Sequence, residues 1–296
     1  MSKRIIEIGT EGCYLKLKHQ QLIIERNGEL VGSIPIEDMS ALIIDHPQTL
    51  ITQPVLSELI ESNVMVISSN ARHQPIGMFL PLQSHTTQTE RFSAQASMST
   101  SLKKRLWQQL IQTKVHMQAR VLKSLTQNDA GLSALAKKVR SGDPENIEAQ
   151  AARRYWSRLF EQDSFKRDTA ADDQNRFLNY GYAIVRAVTA RAICATGLHP
   201  TIGLHHHNRY NAYCLADDLM EPYRPFVDLL TYEIVEKYGQ DAEMEKTVRS
   251  ELLQLLTWEI NMGTEKLTFQ GAIQKTAQSL CKAILGETRQ LSLPHV

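Results

Sequence analysis

Three short segments carry the carboxylates and imidazoles that could do chemistry. The first is Ser141-Gly142-Asp143-Pro144-Glu145-Asn146-Ile147-Glu148. Asp143 is a credible N-cap there, and Pro144 in the first helical position lacks only an N–H that would go unused. Glu148 then lies near a helix N-terminus, where the dipole favours a carboxylate whether or not it has a task. Ala151 and Ala152 behind it let another helix approach closely. The second segment, Gly203-Leu204-His205-His206-His207, follows a helix stop at Gly197 and Pro200, so its imidazoles sit on a loop. A run of loop histidines is often simply solvated. This one is not a His-apolar-His nuclease signature, because His206 stands in the middle, and no further Cys or His at ordinary spacing suggests zinc. In the third segment, Asp218 and Glu221 are three apart and share a helix face, with Cβ atoms roughly 5 to 6 Å from each other. Such a pair can hold a divalent cation; it can equally form a solvent-facing acidic edge or pair with Arg224. Pro222 removes the N–H that would bond back to Asp218, so the helix must kink or restart just past Glu221.

The elements that position these segments fall into two groups. Residues 5–8, 14–18, 22–25, 30–36, 41–44 and 64–67 read as strands, and Asn27-Gly28 between two apolar runs is a hairpin dipeptide because both residues accept positive φ. One helix, 52–62, interrupts them, with Val55, Leu56, Leu59 and Ile60 at helical spacing and Pro54 early in its first turn. The polar stretch before Arg91 is a linker. Beyond it the periodicity is helical over 102–125, 132–139, 144–160, 175–196, 212–238, 243–262 and 270–285. The predicted fold is α+β: a small β-sandwich-like domain with one helix at 1–82, a linker at 83–90, and a larger all-α domain at 91–296.

Bulk properties narrow the function classes. The chain has 296 residues, 42% hydrophobic and 22% charged, and no apolar run approaches the ~20 residues of a membrane span. Nothing in Met1-Ser2-Lys3-Arg4 and the residues after it resembles a secretory signal, so a cytoplasmic protein is expected. Cys13, Cys194, Cys214 and Cys281 are scattered, which argues against a zinc ribbon or a disulfide framework. The net charge of +1 conceals a strong asymmetry. Residues 1–90 hold six Lys/Arg against ten Asp/Glu, residues 91–160 thirteen against four, and residues 161–296 fourteen against eighteen. A block containing Lys103, Lys104, Arg105, Lys137, Lys138, Arg140, Arg153 and Arg154 suits a polyanion.

Taken together, these segments resemble the CRISPR-associated integrase, the universal first Cas subunit of spacer acquisition. The resemblance spans essentially the whole chain. It rests on Glu148-Ala149-Gln150-Ala151-Ala152-Arg153-Arg154-Tyr155-Trp156, on Asn175 with Leu178-Asn179-Tyr180-Gly181-Tyr182, on Gly197-Leu198-His199-Pro200 leading to Gly203-Leu204-His205, and on Asp218-Leu219-Met220-Glu221 with Arg224-Pro225 and Asp228. Position 149, often glycine in the family, is alanine here. Asn208-Arg209-Tyr210-Asn211 looks most similar to members that accompany the single-protein, RNA-guided effector nuclease of type II systems.

The resemblance implies a metal site of Glu148, His205 and Glu221, with Asp218 as fourth contributor, and His206 and His207 as competitors for the imidazole position. Two carboxylates and an imidazole suit Mg²⁺ or Mn²⁺. It further implies attack by a 3′-OH of double-stranded spacer DNA on a phosphodiester of the repeat array, a homodimer, and partnership with the small second Cas subunit and the type II effector nuclease. Two alternatives stay open on the residues alone: a non-catalytic DNA-binding scaffold, and a metal-dependent hydrolase that cuts phosphodiesters with water.

Overall fold

The computed structural model describes residues 4–71, 73–160 and 165–295, and it divides the chain into two compact units. The first comprises Met1–Leu82 together with Met244–Leu253. Its strands are β1 (Arg4–Ile8), β2 (Tyr14–Lys18), β3 (Gln21–Arg26), β4 (Glu29–Pro35), β5 (Met39–Ile44), β6 (Leu50–Ile51), β7 (Met65–Ser69) and β8 (Pro75–Phe79), with helix α1 (Gln53–Glu61) between β6 and β7. They form two four-stranded sheets, ordered β1-β5-β7-β8 and β4-β3-β2-β6. β1, β5 and β7 run parallel, and β8 closes that sheet antiparallel to β7. Apolar residues of both sheets meet in one core with α1: Leu15, Leu22 and Ile24 from one, Leu42 and Val66 from the other, Val55 and Leu59 from the helix.

Asn27 (φ 52°) and Gly28 (φ 85°) make the expected tight turn between β3 and β4. The β2–β3 turn uses the same left-handed backbone at His19 (φ 51°) and Gln20 (φ 58°), residue types that do not advertise it. β6 and β8 lay outside the expectation: the first is two residues long, and the second opens on a proline, which a strand tolerates at its first residue.

The second unit, Gln83–Glu243 with Gln254–Val296, is built from α2 (Gln88–Ala96), α3 (Thr100–Thr126), α4 (Leu132–Ala136), α5 (Ile147–Leu159), α6 (Asn175–Ala195), α7 (Cys214–Met220) and α8 (Arg224–Tyr238), and from a C-terminal group described below. The 27-residue α3 is capped by Ser99, whose side chain accepts from Leu102 N at 3.2 Å. α6 is buried along nearly its whole length. It lies so close to α8 at Gly181 that any Cβ there would collide with Val227 Cγ1.

Three expectations are corrected. The linker is shorter than 83–90, because α2 already begins at Gln88. The helix expected over 243–262 is α9 (Lys246–Gln254), a 3₁₀ turn Leu255–Thr257, and a strand β9 (Glu259–Met262) paired antiparallel with β10 (Glu265–Thr268) before α10 (Phe269–Ile284). The large domain is therefore not all-α: Gly263 (φ 76°) supplies a hairpin turn inside it. Finally, 91–296 is not one continuous domain. Arg249 on α9 is buried in the first unit between Glu7 (Nε–Oε1 2.8 Å) and Asp45 (NH2–Oδ2 3.3 Å), a pairing invisible to periodicity.

All four cysteines are buried and free. Among the described residues no helix is long and apolar enough to cross a membrane. The apolar C-terminal segment packs on its own unit, Leu291 N donating to Gln109 Oε1 at 2.8 Å and His295 N to Asn261 O at 3.0 Å; Val296 lies outside the described residues.

Candidate active site

The acids singled out by the sequence meet in the second unit around one ammonium. Lys114 Nζ lies 2.6 Å from Glu148 Oε1 and 2.6 Å from Glu221 Oε2. Each residue is delivered by a different element. Lys114 projects from the middle of α3 and Glu148 from the first turn of α5. Glu221 opens the 3₁₀ turn Glu221–Tyr223, where Pro222 and then Pro225 break what looked like a single helix into α7 and α8. The chain thus restarts through a 3₁₀ turn just past Glu221, where Pro222 lacks the N–H that would continue the α-helical bonding.

The start of α5 differs in detail from the expectation. Asn146 (φ 52°), not Asp143, is the residue flanking the helix, and Pro144 lies outside it. Asp143 still caps, from further out: its two carboxylate oxygens accept from Ile147 N (2.9 Å) and Glu148 N (3.0 Å), orienting the backbone that carries Glu148.

Electrostatics bind the cluster together. Burial alone would raise the Glu221 pKa, but Arg224 and Lys114 outweigh it and hold the carboxylate down at about 2. Burial works against the Lys114 charge as well, yet Glu221 and Glu148 keep the ammonium above its ordinary pKa. Glu221 Oε1 accepts from Arg224 Nε at 2.9 Å, whereas Oε2 faces Lys114 without a directed hydrogen bond.

Asp218 and Glu221 share a face but not a task. Asp218 is completely buried and accepts from Leu204 N (2.6 Å), His205 N (3.0 Å), His206 N (3.1 Å) and His206 Nδ1 (2.6 Å). It is the peg around which the histidine loop folds. Gly203 makes that wrapping possible, since a Cβ there would strike the His206 carbonyl oxygen and stand 2.9 Å from Asp218 Oδ2.

The loop sorts its three imidazoles. His205 lies flat on the buried Trp107, ring centroids 4.2 Å apart and planes 3° from parallel. His207 is exposed, and its Nδ1 donates to His205 O at 2.8 Å. His206 is braced through Nδ1 by Asp218; that bond, ahead of the attraction from Asp218, Glu221 and Asp217, raises its pKa against the opposing effect of burial. A carboxylate holding one ring nitrogen while the other stays free is how proteins fix metal-binding imidazoles. Geometry therefore favours His206 over His205 as the imidazole beside Glu221.

The donor chemistry fits a divalent cation. Two carboxylates already converge on one positive charge, one of their oxygens is buried without a directed partner, and an oriented imidazole stands near. Among the described residues no three His, Cys, Asp or Glu side chains form a ready-made cluster; the two acids are joined instead by Lys114.

The residue the sequence reading missed is Lys114. Its signal was present: it continues the face of α3 that buries Trp107, Leu110 and Ile111, and a lysine inside an apolar stripe needs a buried partner. The basic block is on the surface as expected, with Lys104, Arg105, Lys137, Lys138, Arg153 and Arg154 all exposed. Arg153 and Arg154 make no ion pair among the described residues.

Comparison with known proteins agrees with this architecture. The family model for CRISPR associated protein Cas1 matches residues 6–254. The chain is 35% identical over 289 residues to the CRISPR-associated endonuclease Cas1 of Neisseria meningitidis serogroup C (strain 8013), covering 96% of this chain and 94% of that protein. Among solved structures it superposes on a casposase bound to integration product with a TM-score of 0.79, at 20% identity, over 99% of this chain and 93% of that one. It also matches a chain of a Cas6-RT-Cas1–Cas2 complex with a TM-score of 0.74, at 19% identity, over 99% of this chain and 36% of that one. Fold and sequence thus agree on a class, the CRISPR-associated proteins. Within it, the chain belongs to the Cas1 family.

Proposed function

We propose that this protein inserts DNA into a CRISPR array by divalent-metal-dependent strand transfer, the 3′-OH of the incoming fragment attacking a phosphodiester at the repeat boundary. The observation that carries this reading is the shared cation position: Glu148 and Glu221, from separate elements, both stand 2.6 Å from the Lys114 ammonium. Glu148, Glu221 and the Asp218-braced His206 would hold Mg²⁺ or Mn²⁺, the nitrogen ligand favouring Mn²⁺. When bound, the cation polarises the scissile phosphate and stabilises charge on the attacking and leaving oxygens. Asp218 acts through the loop it anchors, as a positioning residue. The exposed basic side chains of α3 and α5 hold the DNA, so binding weakens steeply with salt.

The relatives support the partners as well. A casposase was solved with its integration product and a Cas1-containing chain in complex with Cas2, which favours DNA and the small second Cas subunit as partners here.

Strand transfer into a supercoiled repeat plasmid tests the reading. Parent protein with Mn²⁺ yields a branched, covalently joined product, and Glu148→Ala and Glu221→Ala each lower it on the order of 100-fold or more. Nicks without joined product would make the protein a hydrolase. Undiminished product in both variants, or chemistry without divalent metal, would overturn the assignment.

A further inference from the structure

The segments that carry Glu148 and Glu221 meet a second time, further along. Tyr155 follows Glu148 by two turns of α5, on the same face and about 10 Å away; Asp228 follows Glu221 by the same interval, inside α8. Asp228 is buried, and its Oδ1 accepts from the Tyr182 hydroxyl of α6. The Tyr155 hydroxyl is buried as well and faces the same carboxyl without a directed hydrogen bond. Two rungs therefore connect α5 to the segment that begins at Glu221. Lys114, between the two acids, is the upper one, and Asp228 with Tyr155 is the lower.

The rungs differ once a metal ion is held by both acids. Such an ion takes the place of the Lys114 ammonium, and the upper rung is exchanged; the lower one stays. Its strength depends on the charge of Asp228. A carboxylate accepts from both phenols, whereas a neutral acid leaves one phenol proton without an acceptor in a buried space. Burial pushes the Asp228 carboxyl up to about 7, against the phenols of Tyr182 and Tyr155 and the charges of Arg224, on its own helix, and Lys114, on α3. Arg167, from the segment before α6, adds a further positive charge within electrostatic reach. Lys114 is the charge that marks the cation position, and it already favours the ionised form of Asp228. A divalent ion at that position acts in the same sense and more strongly. By reciprocity, ionised Asp228 favours the ion.

We propose that Asp228, as the carboxylate, is a positioning residue for the cation site: through Tyr155 and Tyr182 it ties α5 and α6 to α8, and it keeps Glu148 and Glu221 facing one another when a divalent ion stands in the place of Lys114. The proposal rests on the cation reading given above. Asp228 itself touches neither the ion nor DNA; it acts through the two phenols and through its charge.

The test is Mn²⁺ binding by the full chain without DNA, followed by electron paramagnetic resonance of the free ion, for the parent and Asp228→Asn across the neutral range. Asparagine keeps the size and one acceptor but carries no charge. The ratio of dissociation constants, variant over parent, should rise from under about twofold at about pH 6 to nearly tenfold at about pH 8, because only the parent ionises there. His206 is common to both proteins, so its own titration cancels from the ratio. Tyr155→Phe, which removes one donor and leaves the charge, is the second variant: it should weaken binding about threefold at the higher pH and less at the lower. Melting in EDTA checks the same group without metal, with the opposite sign. A carboxyl that binds its proton more tightly folded than unfolded loses stability as pH rises through the window from about 4 to about 7. The melting temperature of the parent should therefore fall relative to Asp228→Asn across that window, and parallel curves overturn the proposal. So does an affinity ratio that stays constant with pH in both variants, the outcome of a merely structural role. Such a constant ratio with Mn²⁺ still bound by the parent leaves the cation reading standing; no Mn²⁺ binding by the parent at any pH removes that reading and this proposal with it.

Discussion

Lys114 is the residue on which the site turns, because it is the common counterion of two acids that would otherwise repel each other. Replacing it by methionine leaves Glu221 buried beside Glu148 with no shared positive charge. Removing one partner of a buried ion pair costs about 3 to 5 kcal/mol, and the partial exposure of Glu148 places this case at the lower end. Lys114→Met should therefore lose about 3 kcal/mol in urea unfolding at neutral pH. Mn²⁺, taking the vacated position, should raise the melting temperature of the variant by more than that of the parent. Equal responses to Mn²⁺ would mean that the two acids do not share a cation position. At this scale the sequence singled out Glu148 and Glu221, which the fold brings together at Lys114, and named His205 for the imidazole with His206 and His207 as competitors. Three adjacent histidines are equivalent to any rule of spacing; only the folded loop lays one on Trp107, turns one to Asp218 and leaves one in solvent.

Elements position the site through close approach as much as through hydrogen bonds. α6 packs against α8 and so fixes the place of Arg224 and the neighbouring Glu221. Gly181 is the point of contact, where a methyl group would enter the space of Val227 Cγ1. Gly181→Ala should destabilise by about 1 to 3 kcal/mol through overpacking, and the added substitution Val227→Ala should recover part of it, both read by chemical denaturation. Failure of Val227→Ala to recover any stability would place the clash elsewhere. The helices themselves were legible because their apolar residues recur at 3.6-residue spacing. Their ends were less so. The 212–238 pattern remained periodic across Pro222 and Pro225, and the backbone broke there because two missing N–H groups cannot be replaced within one helix. The short strands β6, β9 and β10 offer too few residues for a period to be read.

For the whole molecule, the division into units does not follow chain order. Residues 244–253 return to the first unit, where Arg249 fills a buried acidic notch formed by Glu7 and Asp45. Arg249→Leu should lower the unfolding free energy by about 3 kcal/mol. Hydrogen exchange should place the loss in β1 and β5 rather than in α6. A uniform rise in exchange would show that the segment is not a working part of the first unit. The sequence by itself determined the α+β order, most strands and helices, the basic block and the two acids, because each is written in local periodicity, turn chemistry or a short motif. Tertiary structure alone decided which imidazole is oriented, that Lys114 stands between the acids, and that Arg249 belongs to the β unit. All three depend on which buried charges find a partner across tens to hundreds of residues. No local pattern encodes that pairing; the packing of the elements does.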